Sequence, residues 1–429
     1  RRRVRILVLS QYWHPENGVP QRRWAWLTSI LQQAGHEVRV VAPPPHYKRT
    51  VAFKTWFAQR GFSAAFREEL GLNGEIVYRS GYFPSGTSLG RRILNQGWTA
   101  AAMMIGLLRN REIRDFKPDL VIGTVPALPT SVVTFIAARR LNVPYILDLR
   151  DAWPALFRES KQWNAGTGQR SPRETILLRT PFQVLIALTE WSLSFVMARC
   201  AGLSTTSSSL ERQLKTELNK PTATVRNVFP SVSASRDRTR ESDRGPRLHV
   251  LYAGTLGRAQ KLENALIAAK LAQDEGVEVS LRFVGEGATW GPLQQTAEEL
   301  AIDLDLQHQH APDELQKSYR WADTALVHLT NWDSLEVAVP SKTYELMANQ
   351  IHISGVVAGE TARLIETLHA GDVVPPENPR ALADLWVALA REPERLNVSD
   401  RGRTWVEYQR EEVAPAAFLN FVEQVGNRQ

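Results

Sequence analysis

Cysteine is almost missing from this chain of 429 residues, with Cys200 standing alone. One thiol excludes an intrachain disulfide and a cysteine-based metal cluster, and it points to a reducing compartment such as the cytoplasm. Long hydrophobic runs are missing too. The run WTAAAMMIGLL (98–108) is shorter than the ~20 residues a bilayer needs. PFQVLIALTEWSLSFVMA (181–198) is long enough, but Gln183 and Glu190 interrupt it, so it reads as a buried or amphipathic helix. Within the sequence given, RRRVRILVLS reads as the approach to a strand, and no signal peptide is expected from it.

What is present suits a soluble globular protein: 43% hydrophobic residues and mixed charge, in a chain long enough for two large domains. The net charge is +7, and it is unevenly placed. Residues 46–112 hold ten Lys or Arg against four Glu, nearly all of the surplus, together with nine aromatic residues from Phe53 to Trp98. Basic and aromatic side chains mixed in this way suit an anionic membrane surface, with Arg91, Arg92, Trp56 and Phe57 as contact candidates. Nucleic acid is the competing partner. The plain alternative is an insertion whose aromatics pack inward.

Along the chain, VRILVLS (4–10) is an apolar run of the kind buried in a parallel sheet, followed by the loop QYWHPENGVP and a helix from about Gln21. Gly35 stops that helix and a second strand begins. DLVIGT (119–124) and PYILDLRDAWP (144–154) continue this β-loop-α-β grammar. Residues 158–175 read as a mobile loop. The expected domains are 1–232, with 46–112 inserted, and 248–405, joined by a linker at 233–247 that lacks apolar periodicity. A terminal helix occupies 406–429. In the second half LHVLYAGTLG (248–257), VSLRFVGEG (279–287) and TALVHLT (324–330) restart the grammar. The expected architecture is therefore two Rossmann-like α/β domains facing across a cleft.

Two stretches carry chemistry. In GTLGRAQK (254–261), Gly254 and Gly257 allow backbone amides near a ligand, and Arg258 and Lys261 follow where a helix starts; this suits a diphosphate. In VAVPSKTYELMANQ (337–350), Lys342 sits in the first turn of a helix, where the backbone is already electropositive and Ser341 is placed to cap Thr343 or Tyr344. Either lysine and amides converge there on an anion, or Lys342 is a solvated surface residue. Asp303 and Asp305 imitate a metal-binding pair, but no second ligand cluster lies near them in sequence, and they read as a turn.

YAGTLGRAQKLENAL, LRFVGEG, VPSKTYELMA and ILDLRDAWP, in an order that follows QYWHPENG, resemble the family 4 glycosyltransferases of GT-B fold, nearest the bacterial branch that builds O-antigen, capsule and lipid-linked glycans. The resemblance implies retaining, metal-independent sugar transfer from a nucleotide-sugar, UDP-linked by preference, to a glycan or lipid-linked acceptor at the inner face of the membrane. It implies no cofactor, no nucleic acid, and a C-terminal helix that returns to the N-terminal domain. Arg258 and Lys261 would neutralise the departing diphosphate, although the family arginine after the first glycine is Thr255 here. Glu345 would accept the ribose hydroxyls. The family's earlier acidic position is Val337, with Glu336 one residue away, so Ser341 and Lys342 would border the phosphates or sugar. Gly18 would let the N-terminal domain approach the phosphates. Arg150 and Asp151 stand where relatives carry His-Asp; Asp151 would orient the acceptor hydroxyl or act as a base, or else cap the AWP turn. His14 and Glu16 are further acceptor-side candidates. A sugar-nucleotide 2-epimerase of the same fold is the alternative enzyme, and a nucleic-acid binder the alternative outside enzymes.

Overall fold

A computed structural model describes residues 2–45, 51–84, 86, 89–125, 127–153, 172–231, 233 and 245–428. The chain divides into two compact units, Arg1–Phe229 with Glu412–Gln429, and Pro230–Glu411. His46, Lys48 and Arg49 lie outside the described residues, as do 158–171 of the expected loop and 234–244 of the expected linker; residues 172–175, expected in that loop, instead begin helix Pro172–Arg199.

The first unit is built on an eight-stranded sheet in the order β3-β4-β2-β1-β5-β6-β7-β8. Its strands are β1 Arg5–Leu9, β2 Glu37–Ala42, β3 Arg67–Leu70, β4 Ile76–Arg79, β5 Leu120–Thr124, β6 Tyr145–Leu149, β7 Gly202–Thr205 and β8 Thr222–Thr224. The central strands β1, β5 and β6 are nearly unbroken apolar runs because helices cover both faces of a parallel sheet. β1 pairs in parallel with β2 (Ile6 beside Val38) and with β5 (Ile6 beside Leu120), so the strand order reverses between β1 and β5.

The basic, aromatic segment is not an appended insertion. Its strand β4 pairs in parallel with β2, with Val40 beside Val77, and Val77 and Tyr78 are fully buried. β3 adds an antiparallel edge. Trp56 is buried, donates its indole N–H to the Tyr82 carbonyl at 2.6 Å and packs on Phe53, Phe62, Phe83 and Trp98. It therefore anchors the short helix Phe53–Ala58 and offers nothing to a membrane, whereas Phe57, Arg91 and Arg92 are exposed.

The C-terminal helix Ala414–Gly426 completes the first unit's core. Phe418 meets Trp24 edge-to-face at 6.2 Å, and Phe421 packs where any side chain at Gly202 would collide. His36 reinforces the contact. Its Nδ1 accepts from the Val4 amide at 3.0 Å, which leaves Nε2–H to donate to the Glu423 carboxylate at 3.1 Å.

The second unit is a six-stranded, all-parallel sheet in the order β11-β10-β9-β12-β13-β14. Its strands are β9 Arg247–Ala253, β10 Glu278–Val284, β11 Asp303–Gln307, β12 Thr324–His328, β13 His352–Val356 and β14 Gly371–Val374. Counted from β9 this is a 3-2-1-4-5-6 sheet, which reverses between β9 and β12. Alanines 265, 268, 269 and 272 let helix Glu263–Asp274 lie close to helix Pro379–Arg391, whose Trp386 is fully buried. Asp303 and Asp305 lie on the edge strand β11 rather than in a turn, and Asp305 accepts from Arg282 at 3.2 Å.

Candidate active site

In the second unit the loops at the carboxyl ends of the strands are stitched together on both sides of the reversal. After β9, the Gly254 amide donates to the Val284 carbonyl and Leu256 to Glu286, so residues 254–257 run on as a ladder with the loop after β10. The contact is so close that a Cβ on Gly285 would stand 1.7 Å from the Gly254 carbonyl oxygen, and one on Gly287 would stand 2.2 Å from that of Leu256. Glycine is required at these two positions. The amide of Gly257 turns back to the Gln260 side chain at 3.1 Å. Of the expected cradle, the amides of Gly254 and Gly257 are thus engaged within the protein. Those of Thr255, Arg258 and Ala259 are the ones left to consider.

Arg258 opens the short 3-10 turn Arg258–Gln260 and is exposed. Lys261 ends it with φ of 43°, in the left-handed region that a residue with a side chain seldom occupies. Its ammonium pairs with Glu377 at 2.7 Å in the loop after β14. The turn is fixed to the far side of the reversal by the Thr330 amide, which donates to the Ala259 carbonyl at 3.1 Å.

The chain leaving β12 forms helix Asp333–Glu336, the corner 337–340 and helix Ser341–Ala348. Pro340, with extended ψ of 133°, occupies the N-cap, and no side chain caps this helix. Ser341 is therefore its first residue and not its cap, and the first-turn amides are left uncapped by side chains. Lys342 pairs with Glu345 at 3.0 Å, one turn on, and the Glu345 side chain is 8% exposed. Glu336 is exposed, while its backbone carbonyl lies against Gly359, whose φ of 71° and missing side chain permit the approach. Thr361 donates to the Ala338 carbonyl at 2.9 Å and braces the same corner. Beneath it His328, the last residue of β12, is buried with neither ring nitrogen hydrogen-bonded to a described side chain; burial pushes its pKa down to about 4, the Gln260 backbone offsetting part of the effect.

The first unit gathers the other candidates at the carboxyl ends of its own strands. The loop after β1 carries His14, Glu16 and Gly18, and Arg79, buried and paired with Glu69 at 2.9 Å, donates to the His14 carbonyl. Gly18 begins helix Val19–Gln33 with φ of −82°, open to any residue, and an added Cβ would meet the movable Gln21 side chain. That helix is locked to β6 by a fully buried ion pair. Arg23 Nε and Nη2 donate to Asp148 at 3.0 and 2.8 Å, and Trp24 and Ser204 fill the carboxylate's remaining positions. Burial alone would raise the Asp148 pKa, but the Arg23 charge and these hydrogen bonds outweigh it and hold it below the usual carboxylate range. Arg150 and Asp151 follow directly. The Arg150 carbonyl accepts from Thr206 at 3.1 Å. The Asp151 carbonyl accepts from the Trp153 amide at 2.8 Å, and its carboxylate caps nothing among the described residues.

Glu377, Gln260, Gly285 and His328 lie in or under these loops without having been singled out in the sequence. The GEG stretch of Gly285–Gly287 was the one signal available for any of them. Among the described residues no group of three or more His, Cys, Asp or Glu is disposed to hold a metal.

Residues 18–230 match the glycosyl transferase 4-like domain. The chain is 24% identical over 404 residues to the proposed colanic acid biosynthesis glycosyl transferase WcaI of Escherichia coli (strain K12), covering 88% of this chain and 90% of that one. Among solved structures it resembles sucrose-phosphate synthase from Thermosynechococcus elongatus, with TM-score 0.68, 14% identity and 98% of both chains covered. It also resembles Anabaena HepE in complex with UDP and glucose, with TM-score 0.58, 15% identity and 98% of both chains covered. WaaG, a glycosyltransferase involved in lipopolysaccharide biosynthesis, superposes with TM-score 0.57 at 11% identity over 98% of this chain and 100% of its own. With two parallel-rich α/β sheets and relatives of this kind, the chain belongs to the family 4 glycosyltransferases of GT-B fold.

Proposed function

We propose that this glycosyltransferase moves a sugar, with retention of anomeric configuration, from a UDP-sugar to a hydroxyl of a lipid-linked cell-envelope glycan. The observation that carries the reading is the pairing of two cationic loops on either side of one strand reversal. The turn with Arg258 and Lys261 follows β9, the corner with Lys342 and Glu345 follows β12, and the Thr330–Ala259 hydrogen bond ties them. Ligands of open α/β sheets settle at such a reversal. The UDP-bound relative supports the choice of nucleotide, and the colanic acid and lipopolysaccharide relatives support the class of acceptor.

In this reading Arg258, Lys261, the amides of Thr255, Arg258 and Ala259, and the uncapped start of helix Ser341–Ala348 receive the charge that grows on the diphosphate as the glycosidic bond breaks. Glu345 takes the ribose diol, because two carboxylate oxygens match two neighbouring hydroxyl donors. Lys342, which now holds Glu345, turns to a phosphate, and Ser341 lines the same edge. The leaving phosphate oxygen accepts the proton of the acceptor hydroxyl, which attacks from the same face, so no protein nucleophile is needed. We assign Gly18 to the phosphates, and His14, Glu16, Arg150 and Asp151 to the acceptor. No metal or cofactor enters the scheme.

The test is a nucleoside diphosphate release assay over UDP-, GDP-, dTDP- and ADP-sugars, with proton NMR of the product linkage and parallel reactions in a chelator. Slow UDP release from a UDP-sugar, speeded by a lipid-linked acceptor, with an unchanged anomeric configuration and indifference to the chelator, is expected. Inversion of configuration or epimerisation at C2 without an acceptor would overturn the scheme.

A further inference from the structure

Apart from Leu70 and Leu72 at the β3 edge, most of the exposed apolar side chains of the first unit lie on its helices. Helix Leu89–Arg109 exposes Leu94 at 59% and Trp98 at 44%, with Ile105 and Leu108 continuing the same stripe at helical spacing. Helix Pro172–Arg199 exposes Val184, Leu188 and Trp191, again on one stripe. Helix Pro129–Leu141 packs between these two helices and exposes Val132. Its Phe135 meets Phe195 at 5.5 Å, Phe195 meets Trp191 at 5.5 Å, and the Arg199 guanidinium lies 3.6 Å over Phe195. Beyond Trp98 the surface continues through buried Trp56 to the exposed Phe53 and Phe57. Exposed apolar stripes on helices that pack side by side mark a contact surface.

Its charge is predominantly positive. Residues 89–109, 129–141 and 181–199 contain six arginines, one glutamate, and neither lysine nor aspartate. Between the first two of these helices runs a shallow apolar groove lined by Met104, Leu107, Val133 and Ile136 among others, whose charged lining residues are Arg114 and Arg140. None of the described helices is long and apolar enough to cross a membrane. A second copy is a poor occupant, because a two-fold interface would set these arginines against themselves.

We propose that this three-helix face docks the protein in the plane of an anionic lipid leaflet. Leu94, Trp98, Leu188 and Trp191 enter the acyl boundary, and the arginines meet the lipid phosphates. The proposal rests on the lipid-linked acceptor reading, and it moves the membrane contact from the basic segment to a face on which helix Pro172–Arg199 is a principal element. Phe57, Arg91 and Arg92 remain part of it.

Sedimentation with phosphatidylglycerol-containing and with pure phosphatidylcholine vesicles tests it. Wild type should partition onto the anionic vesicles and release at high salt. Leu188→Glu with Trp191→Glu should lower the partition coefficient by about a hundredfold, as should Leu94→Glu with Ile105→Glu on the other helix. Arg91→Glu with Arg92→Glu should cost roughly fivefold for each arginine lost. UDP protection against thermal unfolding should be unchanged in all three variants, which confirms that they are folded. Wild-type partitioning by all three variants, or equal wild-type binding to both vesicle types, would overturn the proposal. So would a dimer in analytical ultracentrifugation that the same substitutions dissolve. If UDP protects not even the wild type, the donor reading fails while the vesicle result stands.

Discussion

The Lys261 ammonium stands 2.7 Å from the Glu377 carboxylate, joining the turn after β9 to the loop after β14. Both residues hold backbone φ in the left-handed region, at 43° and 58°. Such conformations cost of order 1 kcal/mol each and concentrate at functional sites. The pair is more than a third exposed on both sides, so water screens it and it contributes little to stability. It is an exchangeable partnership: an incoming diphosphate competes with Glu377 for the lysine.

Glu377→Gln should therefore tighten UDP binding severalfold while moving the denaturant midpoint by less than about 0.5 kcal/mol in stability. Isothermal calorimetry reads the first and urea unfolding the second. Weaker UDP binding in this variant would show that Glu377 supports the ligand rather than competing with it.

The Arg23–Asp148 pair makes the opposite case, because it is fully buried and its hydrogen bonds are complete. Asp148→Asn leaves the guanidinium uncompensated and should cost about 3–5 kcal/mol, measured by chemical denaturation. The depressed folded-state pKa means that the unfolded chain takes up a proton first on acidification. The pair's contribution is thus full above the ordinary aspartate range and is lost as pH falls through that range toward the lower folded value. The substitution should flatten this acid limb; an unchanged limb would assign it to other carboxylates.

His328 titrates with a separate signature. Its folded pKa of about 4 lies below the ordinary histidine value, so between about 6.5 and 4 the unfolded chain binds the extra proton and stability falls with acidification. The full effect is roughly 3 kcal/mol, complete near pH 4. His328→Gln should remove that part of the slope, and a slope that survives in the variant would mean that His328 is not buried neutral in the folded protein.

Much of the fold could be read from the sequence because parallel strands covered on both faces are spelled as apolar runs, as in RILVL, LVIGT and YILDL. β4 escaped notice since IVYR is short, and since Arg79 and Tyr78 look like surface residues in sequence, although both are buried. Charge counting cannot tell an arginine held by Glu69 and two carbonyls from one in water. Within the site, Arg258, Lys261, Lys342 and Glu345 stand in local motifs. Glu377 lies 116 residues from its lysine, so only folding brings it there. Ser341 was read as a cap because serine favours that position, but Pro340 takes it by virtue of its fixed φ of −57°.

Glu345→Gln keeps the shape of the corner while removing its charge and part of its acceptor capacity. UDP binding should weaken about tenfold, the scale of one charge-assisted hydrogen bond. A deoxyribose analogue lacking the 2′ hydroxyl should then lose little more in the variant than in the wild type. Undiminished calorimetric affinity for UDP would remove Glu345 from the ribose.

The central claim is that the turn after β9 stabilises the departing diphosphate, and single-turnover transfer by Lys261→Ala tests it most directly. An interaction that strengthens as the glycosidic bond breaks acts on kcat more than on ground-state binding. The account predicts a fall in the chemical rate of roughly a hundredfold or more, with the Kd for the UDP-sugar changed far less. A variant that transfers at the wild-type rate would contradict it.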